Sequence, residues 1–345
     1  MKIAIILFNL GGPDSLEAVQ PFLRNLFSDP AIIGLPSLLR KPLARFIASR
    51  RGPTARAIYA KIGGSSPILG QSESQARALE DALGPEHDCR AFVCMRYWHP
   101  MTEAAAKSVK RFAPDRILLL PLYPQMSTTT TESSVRAWHE AAARMKLKAP
   151  TQTVCCYPVE QGFVQASADL LRESIAAIGD RPLRVLFSAH GLPEKIIKSG
   201  DPYAWQIERS AAAIAEKLAI ANLDWAVCYQ SRVGPLKWIG PSTIDEIARA
   251  GRDGKAIALY PLAFVSEHSE TLVELDIEYR HLAEKSGVPQ YERAPAVGTH
   301  PAFIAGLAAL VRRVLAAPGI RVQNDGSVER CADGYARCLR IEVRS

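Results

Sequence analysis

Short apolar runs rich in β-forming residues alternate along the chain with longer amphipathic stretches, and this alternation constrains the fold most strongly. A strand–helix–strand order is typical of parallel sheets with helices on both faces. The predicted strands are Lys2–Asn9, Cys89–Met95, Arg116–Leu122, Gln152–Tyr157, Leu183–His190, Trp225–Gln230, Ala256–Leu262 and Gln290–Ala294. The predicted helices between them include Thr102–Phe112, Gly162–Ile178, Tyr203–Leu218, Pro241–Ala250 and Ser269–Lys285.

The two halves of the chain resemble each other at their strand ends. The segment Ile117–Leu122 reads ILLLPL, and Ile257–Leu262 reads IALYPL. We therefore predict two similar α/β domains with a cleft between them, although one large sheet is the alternative. The predicted domains are residues 1–160, residues 161–318 and a polar tail over 319–345 that contains Cys331 and Cys338.

Composition and charge narrow the function classes. The 345 residues are 48% apolar and 22% charged, which is typical of globular domains. The formal net charge of +7 is compatible with nucleic acid, an anionic membrane surface or an acidic small molecule as a partner. No stretch approaches the roughly 20 apolar residues of a membrane span, and no signal peptide is evident. We therefore expect a cytoplasmic protein whose seven cysteines are mostly reduced.

One segment, Ile32–Tyr59, interrupts the strand–helix alternation. Its apolar residues recur at three- and four-residue spacing and are interleaved with arginines and a lysine, which predicts a basic amphipathic helix. A packed helix with a solvated face is the commoner outcome of such a pattern. The alternative is a lip that touches a membrane surface or a flat anionic ligand.

Two strand ends carry the residues best suited to chemistry. His190 ends the strand Leu183–His190, and ligands of open α/β sheets bind at the carboxyl ends of strands. After the strand Ala256–Leu262 come Glu267, His268 and then a row of carboxylates at four-residue spacing, Glu270, Glu274 and Glu278. Helical geometry would put this row on one face, where it could be a solvated acidic surface or could carry protons or a divalent cation.

Several common motifs are missing. The chain lacks the zinc-protease signature, paired Cys-x-x-Cys motifs, a Gly-x-Gly-x-x-Gly fingerprint and a phosphate loop. Imidazole and carboxylate together suit a borderline divalent metal. The residues by themselves thus predict a two-domain α/β protein with a polar, metal-handling cleft, and they leave its substrate open.

Six segments in order resemble ferrochelatases, the enzymes that insert ferrous iron into a porphyrin to make haem. They are Asn9–Pro13 (NLGGP), Ile62–Pro67 (IGGSSP), Met95–Pro100 (MRYWHP), Ser188–Pro193 (SAHGLP), Gln230–Pro235 (QSRVGP) with Trp238, and Ser266–Leu272 (SEHSETL). The resemblance covers roughly residues 1–315. It implies two Rossmann-like domains around a porphyrin cleft, and a lyase that releases two protons per iron inserted.

The resemblance also implies roles for individual residues. His190 and Glu270 match the family's iron-site pair, with Glu267 and His268 as catalytic neighbours. Glu274 and Glu278 match an acidic row that would relay protons or metal, and residues 32–59 match a lip over the porphyrin mouth. The residues matched to porphyrin-binding positions are Leu10, Arg96, Tyr97, Tyr123 and Trp238.

The chain departs from the family pattern at three positions. Leu10 stands where some members carry Met and cannot coordinate a metal, Glu267 stands where Asp is common, and Thr128 stands where some members carry a cluster-ligating Cys. Some members hold a two-iron two-sulfur cluster, which needs four thiolates. Cys331 and Cys338 supply two, and Cys155 and Cys156 would have to complete the set. Free thiols are the alternative.

The resulting hypothesis is insertion of Fe²⁺ into protoporphyrin IX, the last step of haem biosynthesis. Coproporphyrin III is the alternative porphyrin, cobalt insertion into a corrin precursor is a sister reaction, and a tetrapyrrole-binding protein without turnover is the alternative from another class. The predicted partners are a porphyrin and ferrous iron, with peripheral contact to the inner face of the membrane, no nucleic acid, and a monomer or homodimer.

Overall fold

The computed structural model describes residues 1–232, 236–317, 322–324 and 335–339. The backbone divides into two compact units. Unit 1 comprises Met1–Tyr123, Ser127–Cys155 and the described part of 313–323. Unit 2 comprises Pro124–Met126, Cys156–Arg312 and the described part of 324–345.

Unit 1 is built on a parallel sheet. Its strands are β1 (Lys2–Asn9), β2 (Asp88–Met95), β3 (Arg116–Pro121) and β4 (Thr151–Cys156), in the order β2-β1-β3-β4. Its helices are α1 (Val19–Phe27), α2 (Ser37–Ala60), α3 (Ile68–Leu83), α4 (Thr102–Phe112) and α5 (Ser133–Met145). A π-helical segment, π1 (Thr128–Glu132), leads directly into α5.

Unit 2 repeats this arrangement. Its strands are β5 (Leu183–His190), β6 (Trp225–Gln230), β7 (Ala256–Pro261) and β8 (Tyr291–Arg293), all parallel and in the order β6-β5-β7-β8. Its helices are α6 (Gln161–Ile178), α7 (Glu194–Lys198), α8 (Tyr203–Leu218), α9 (Thr243–Arg252) and α10 (Tyr279–Lys285). A π-helical segment, π2 (Glu270–Glu278), leads into α10. Helix α11 (Pro301–Ala316) follows, and a short strand, β9 (Val322–Asn324), lies beside β4.

Both sheets have the first strand of the unit between the second and the third. This order creates a switch point between the first and third strands, where open α/β sheets bind their ligands. The central strands β1 and β5 are mostly apolar and are buried except at their ends, as expected of parallel strands covered on both faces. The structure confirms the predicted fold class of two α/β units, each with a parallel sheet and flanking helices.

Two predicted helices differ from the structure. The helix predicted over Pro241–Ala250 is observed at Thr243–Arg252, because the Ser242 hydroxyl caps it by accepting the N–H of Asp245 at 3.1 Å. The segment predicted as one helix over Ser269–Lys285 has π-type hydrogen bonding through Glu278 before it becomes α-helical. Apolar periodicity does not distinguish a π segment from an α-helix, so the sequence could not have shown this.

The basic segment is helical as predicted, but several of its large apolar residues are exposed and small residues are buried in their place. Small residues of α2 (Ala44, Ala48 and Gly52) face the rest of unit 1, whereas Leu38 and Phe46 are 89% and 63% exposed. The large apolar side chains therefore form an exposed surface rather than a packed one. Among the described residues, no helix is both long enough and apolar enough to cross a bilayer.

Candidate functional site

The central contact of the candidate site joins the end of strand β5 to the start of π2 in unit 2. His190 is the last residue of β5, and Glu270 begins π2, which follows the neighbouring strand β7. The imidazole Nδ1 of His190 lies 2.9 Å from Oε2 of Glu270. The Tyr203 hydroxyl donates to the His190 carbonyl at 3.0 Å and so fixes the backbone beneath the ring. The imidazole is 40% exposed, so it remains accessible to a ligand.

Hydrogen bonds from the end of β6 hold the two carboxylates of π2. The amide of Gln230 and the hydroxyl of Ser231 lie 3.3 and 3.0 Å from Oε2 of Glu270. The backbone N–H of Ser231 donates to Glu274 at 2.9 Å, and its hydroxyl makes a short contact with the same carboxylate. Ser231 has a φ of 58°, and this left-handed conformation lets both groups reach the acidic row.

Charges in this cluster shift the pKa values in opposite directions. Burial opposes ionisation of both partners, but their mutual attraction outweighs it, which raises the pKa of His190 and lowers the pKa of Glu270. Burial, followed by the nearby charge of Glu270, raises the pKa of Glu274. Without substrate, the site thus favours an imidazolium–carboxylate pair beside a carboxyl that holds its proton more tightly than usual.

His268 supports the site rather than opening onto it. It is buried, and its Nδ1 accepts the backbone N–H of Glu270 at 2.9 Å, which assigns the ring proton to Nε2. Burial lowers the pKa of His268, so the ring is neutral. The hydrogen bond fixes the first turn of π2 and hence the position of the Glu270 carboxylate.

The other acidic residues predicted for the site lie in different environments. Oε1 of Glu267 accepts from Arg293 at 2.8 Å and from the N–H of Ala296 at 2.9 Å. Glu278, at the end of π2, is exposed, whereas Glu270 and Glu274 both contact Ser231. Gly191 comes directly after His190, and Trp238 lies next to it. Trp238 also pairs with Pro193 in an isolated antiparallel bridge. A Cβ added to Gly191 would lie 2.9 Å from the Gln230 carbonyl, so the turn below the imidazole requires glycine.

A second polar cluster lies at the strand ends of unit 1. Asp29 is buried and accepts from Arg96 at 2.7 Å and from the Tyr97 hydroxyl at 2.8 Å, and it makes a short contact with Ser133. Although burial opposes it, Arg96 lowers the pKa of Asp29. Arg96 also donates to the Ser133 hydroxyl at 2.8 Å. These bonds fix the predicted pair Arg96 and Tyr97.

The remaining predicted residues of unit 1 lie at the switch point of its sheet. Leu10 follows β1 and packs beside Tyr97 and Trp98. Tyr123 follows β3 and is buried, and burial raises its pKa above the ordinary range of a phenol. The structure therefore brings Leu10, Arg96 and Tyr97 together in unit 1, and His190, Glu270 and Glu274 together in unit 2.

Comparison with known proteins agrees with this geometry. The family model for ferrochelatase matches residues 2–315. The ferrochelatase of Caulobacter vibrioides is 54% identical over 342 residues, which is 98% of this chain and 97% of that protein. This chain belongs to the ferrochelatase family. The ferrochelatase of Phenylobacterium zucineum is 55% identical over 312 residues, covering 89% of this chain and 90% of that protein.

Solved chelatase structures share the ferrochelatase fold found here. The sirohydrochlorin chelatase SirB of Bacillus subtilis subspecies spizizenii, in complex with cobalt, gives a TM-score of 0.54 at 13% identity, covering 92% of this chain and 97% of that one. SirB from Bacillus subtilis with Fe³⁺ gives a TM-score of 0.52 at 16% identity, with the same coverage. At this identity the likeness shows the fold alone. The family match confirms the predicted enzyme class, a porphyrin metal chelatase of the lyase class, with Fe²⁺ as substrate.

The two-iron two-sulfur cluster considered from the ferrochelatase resemblance is not confirmed by the described residues. Cys331 lies outside the described residues, whereas Cys338, Cys155 and Cys156 are buried. Within the described ranges, no group of three or more His, Cys, Asp or Glu side chains could hold a metal.

Sequence reasoning missed residues that complete both clusters. Ser231 lies within a segment matched to the family, directly after β6, and the strand-end rule could have identified it. Asp29 had no such signal, because it lies in the connection between α1 and α2 and is linked to Arg96 only by tertiary contact. Arg293, which binds Glu267, lies on the three-residue strand β8 and was equally inaccessible to pattern reasoning.

Proposed function

We propose that this chain inserts Fe²⁺ into protoporphyrin IX to form protohaem, with release of two protons, as the last step of haem biosynthesis. The observation that carries the proposal is the His190–Glu270 pair at the switch point of unit 2, in a chain of the ferrochelatase family. This pair places an imidazole, which can accept a proton when neutral, 2.9 Å from a carboxylate that can bind a metal ion.

The reaction sets the roles of this pair. A free porphyrin carries two pyrrole N–H protons, and both must leave when the metal enters. A neutral imidazole can accept such a proton, whereas an imidazolium cannot. The arrival of Fe²⁺ at Glu270 would disfavour a second positive charge on His190, so that the imidazole loses its proton and becomes a base. Glu270 would then be the iron partner and His190 the proton acceptor.

The acidic row of Glu270, Glu274 and Glu278 would carry the released pyrrole protons from the site to solvent. Ser231 contacts both Glu270 and Glu274, so the two carboxylates are connected through one hydroxyl. Glu278 continues the row to an exposed position at the end of π2. We assign Glu274 and Glu278 to proton or metal relay on this basis. His268 and Glu267 act as positioning residues: His268 accepts the N–H of Glu270, and Glu267 ties the loop before π2 to the N–H of Ala296, after β8.

The porphyrin-binding roles are proposed from the family match. Leu10 and Trp238 offer apolar and aromatic surface to a flat macrocycle. The hydroxyl of Tyr97 is held by Asp29, and the guanidinium of Arg96 is 18% exposed. We therefore propose that Arg96 presents its positive charge to the porphyrin. Tyr97 and Tyr123 would support the porphyrin from within unit 1.

The exposed apolar surface of α2 favours protoporphyrin over coproporphyrin. Leu38, Leu39 and Phe46 are mostly exposed, and a macrocycle with two carboxylates suits such a surface better than one with four. The deciding experiment compares iron insertion into both porphyrins by the wild type and by the double variant Leu38→Ser with Phe46→Ser. A matched control changes two exposed isoleucines of unit 2, Ile220→Ser and Ile244→Ser.

We expect the wild type to prefer protoporphyrin, and the α2 variant to raise KM for protoporphyrin several-fold while the control leaves it unchanged. Preference for coproporphyrin by the wild type would overturn the substrate assignment. Absence of iron insertion into either porphyrin would overturn the chelatase proposal itself.

The same surface supports peripheral contact with the inner face of the membrane. Exposed leucine and phenylalanine side chains on a helix that also carries arginines are typical of helices that lie in the membrane interface. Such contact would keep the enzyme close to a poorly soluble substrate and product. Sedimentation with anionic vesicles, reversed by salt, tests this proposal.

A further inference from the structure

A groove between α1 and α2 carries unneutralised positive charge. Its cavity volume is about 390 Å³, which lies in the lower range of small-ligand sites. The lining residues are Glu17, Gln20, Pro21, Arg24, Arg45, Ala48 and Arg56. Of these described residues three are arginines and one is acidic, so the groove has a net positive charge.

The antiparallel packing of α1 and α2 places the carboxylate of the groove far from two of its three arginines. Gln20 packs against Gly52, and Arg56 donates to the Leu16 carbonyl at 3.2 Å. Helix α2 therefore runs antiparallel to α1, so that Glu17 lies at the Arg56 end. Arg24, in the last turn of α1, lies at the Arg45 end. The one carboxylate of the lining is thus remote from the second pair of arginines.

No carboxylate neutralises that second pair. Among the described residues, neither Arg24 nor Arg45 forms an ion pair, although both line the same groove. Two guanidiniums that face one concave space offer paired N–H donors, and this geometry suits the oxygens of a phosphate. The small residues Ala48 and Gly52 let the two helices approach closely, with Gln20 packed against Gly52 and Ala48 lining the groove.

The exposed apolar surface begins beside this arginine pair. Phe46 follows Arg45 in sequence, and Leu38 precedes Arg45 by two helical turns on the same side of α2. Leu38 is 89% exposed, so an apolar chain leaving the groove would meet uncovered hydrophobic surface. A ligand that fits both features has an anionic phosphate attached to an acyl chain.

We propose that the α1–α2 groove is a headgroup site for an anionic phospholipid, with the phosphate between Arg24 and Arg45. The site rests on the membrane contact proposed above and gives it a specific chemistry. Arg24 and Arg45 bind the phosphate, while Leu38 and Phe46 contact the acyl region. The groove thereby sets the orientation of unit 1 on the membrane surface.

The test is sedimentation of the full chain with vesicles of phosphatidylcholine alone or mixed with phosphatidylglycerol. Arg24→Ala with Arg45→Ala removes two charges that face the lipid, and we expect binding to mixed vesicles to weaken about thirtyfold. Arg24→Lys with Arg45→Lys keeps the charge but loses the paired donors, and we expect it to weaken binding as well. The matched control, Lys110→Ala with Arg111→Ala on α4, removes the same charge from an exposed surface elsewhere and should bind like the wild type.

Three outcomes would overturn the site. Equal binding by the wild type and the alanine variant, with loss only in Leu38→Ser with Phe46→Ser, would leave the membrane contact without a headgroup groove. Full binding by the lysine variant would show that the groove attracts the membrane through its positive charge alone and has no specific headgroup site. Stabilisation by inorganic phosphate that Arg24→Ala with Arg45→Ala abolishes, without any change in vesicle binding, would assign the groove to a soluble anion. Iron insertion into detergent-dispersed porphyrin is measured in parallel on the wild type, so that failure of the chelatase proposal is seen separately.

Discussion

The two units use the same backbone device with different side chains. In unit 1, β3 leads to π1, and the Ser127 hydroxyl accepts the N–H of Thr129 at 3.1 Å. In unit 2, β7 leads to π2, and the His268 ring accepts the N–H of Glu270 at 2.9 Å. Each contact spans two residues and fixes the start of a π segment beside the switch point of its sheet.

The side chains held by this device differ in chemistry. The π1 segment carries buried threonines and is followed by Ser133, whose hydroxyl contacts both Arg96 and Asp29. The π2 segment presents Glu270 and Glu274 next to His190. A guanidinium stays charged at any ordinary pH, whereas an imidazole beside carboxylates can exchange protons. The repeated fold therefore places a π segment at the same point of both units, and the proton and metal chemistry that we propose depends on the side chains of π2.

The largest expected effect is a loss of stability when the buried carboxylate of Asp29 is removed from unit 1. Asp29→Ala leaves the partly buried Arg96 without its carboxylate, so we expect a loss of about 3 kcal/mol in the free energy of unfolding. Asp29→Asn keeps the shape and several hydrogen bonds and should cost less. Urea denaturation followed by circular dichroism measures both. A loss below about 1 kcal/mol for Asp29→Ala would show that unit 1 does not depend on this cluster.

Glu274→Gln should affect chemistry more than stability. The amide cannot take up and release a proton as the carboxyl can, so we expect turnover to fall about tenfold, which corresponds to about 1.4 kcal/mol. Glu284→Gln, an exposed change on α10, is the matched control and should leave turnover unaltered. Equal turnover in the two variants would remove the acidic row from the mechanism.

The pH response should distinguish His190 from an ordinary histidine. Because Glu270 raises the pKa of His190, Glu270→Gln should lower that pKa, as an NMR titration of the ring protons would show. The pair should stabilise the fold fully between the unfolded pKa values of Glu and His, about 4.3 and 6.5. This stability is lost as pH rises through the raised pKa of His190, or falls through the lowered pKa of Glu270. An unchanged His190 pKa in Glu270→Gln would contradict the pairing.

The smallest effect is expected in π1. Thr131 is fully buried, and within the described part of the chain its hydroxyl has no hydrogen-bond partner. Thr131→Val removes that hydroxyl while keeping the shape, so stability should change by no more than about 1 kcal/mol and turnover should stay at the wild-type level. A large loss of turnover would show that the hydroxyls of unit 1 take part in the reaction.

The sequence predicted the fold well because parallel strands leave a strong signal. The apolar strand β5 and the helix α8 have the predicted bounds, and both sheets are parallel as expected. The π character of Glu270–Glu278 could not be predicted, since its apolar positions also fit an α-helix. The exposure of Leu38 on α2 was equally hidden, because an apolar residue at helical spacing does not reveal whether a partner covers it.

The contacts of the candidate site could be predicted only in part from the sequence. His190 follows from the position of a histidine at the end of β5, and Glu270 from its match to the ferrochelatase family. Their contact depends on β5 lying beside β7, which the strand order of the sheet determines. Asp29 and Arg293 needed the structure, because their partners lie far away in sequence.

The most direct test of the account is single-turnover iron insertion by His190→Ala and Glu270→Gln, with porphyrin binding measured on the same samples. We predict that both variants bind porphyrin like the wild type but form the metalated product about 10²–10⁴-fold more slowly. Near-normal metalation rates in both variants would contradict the assignment of proton and metal chemistry to the strand ends of unit 2.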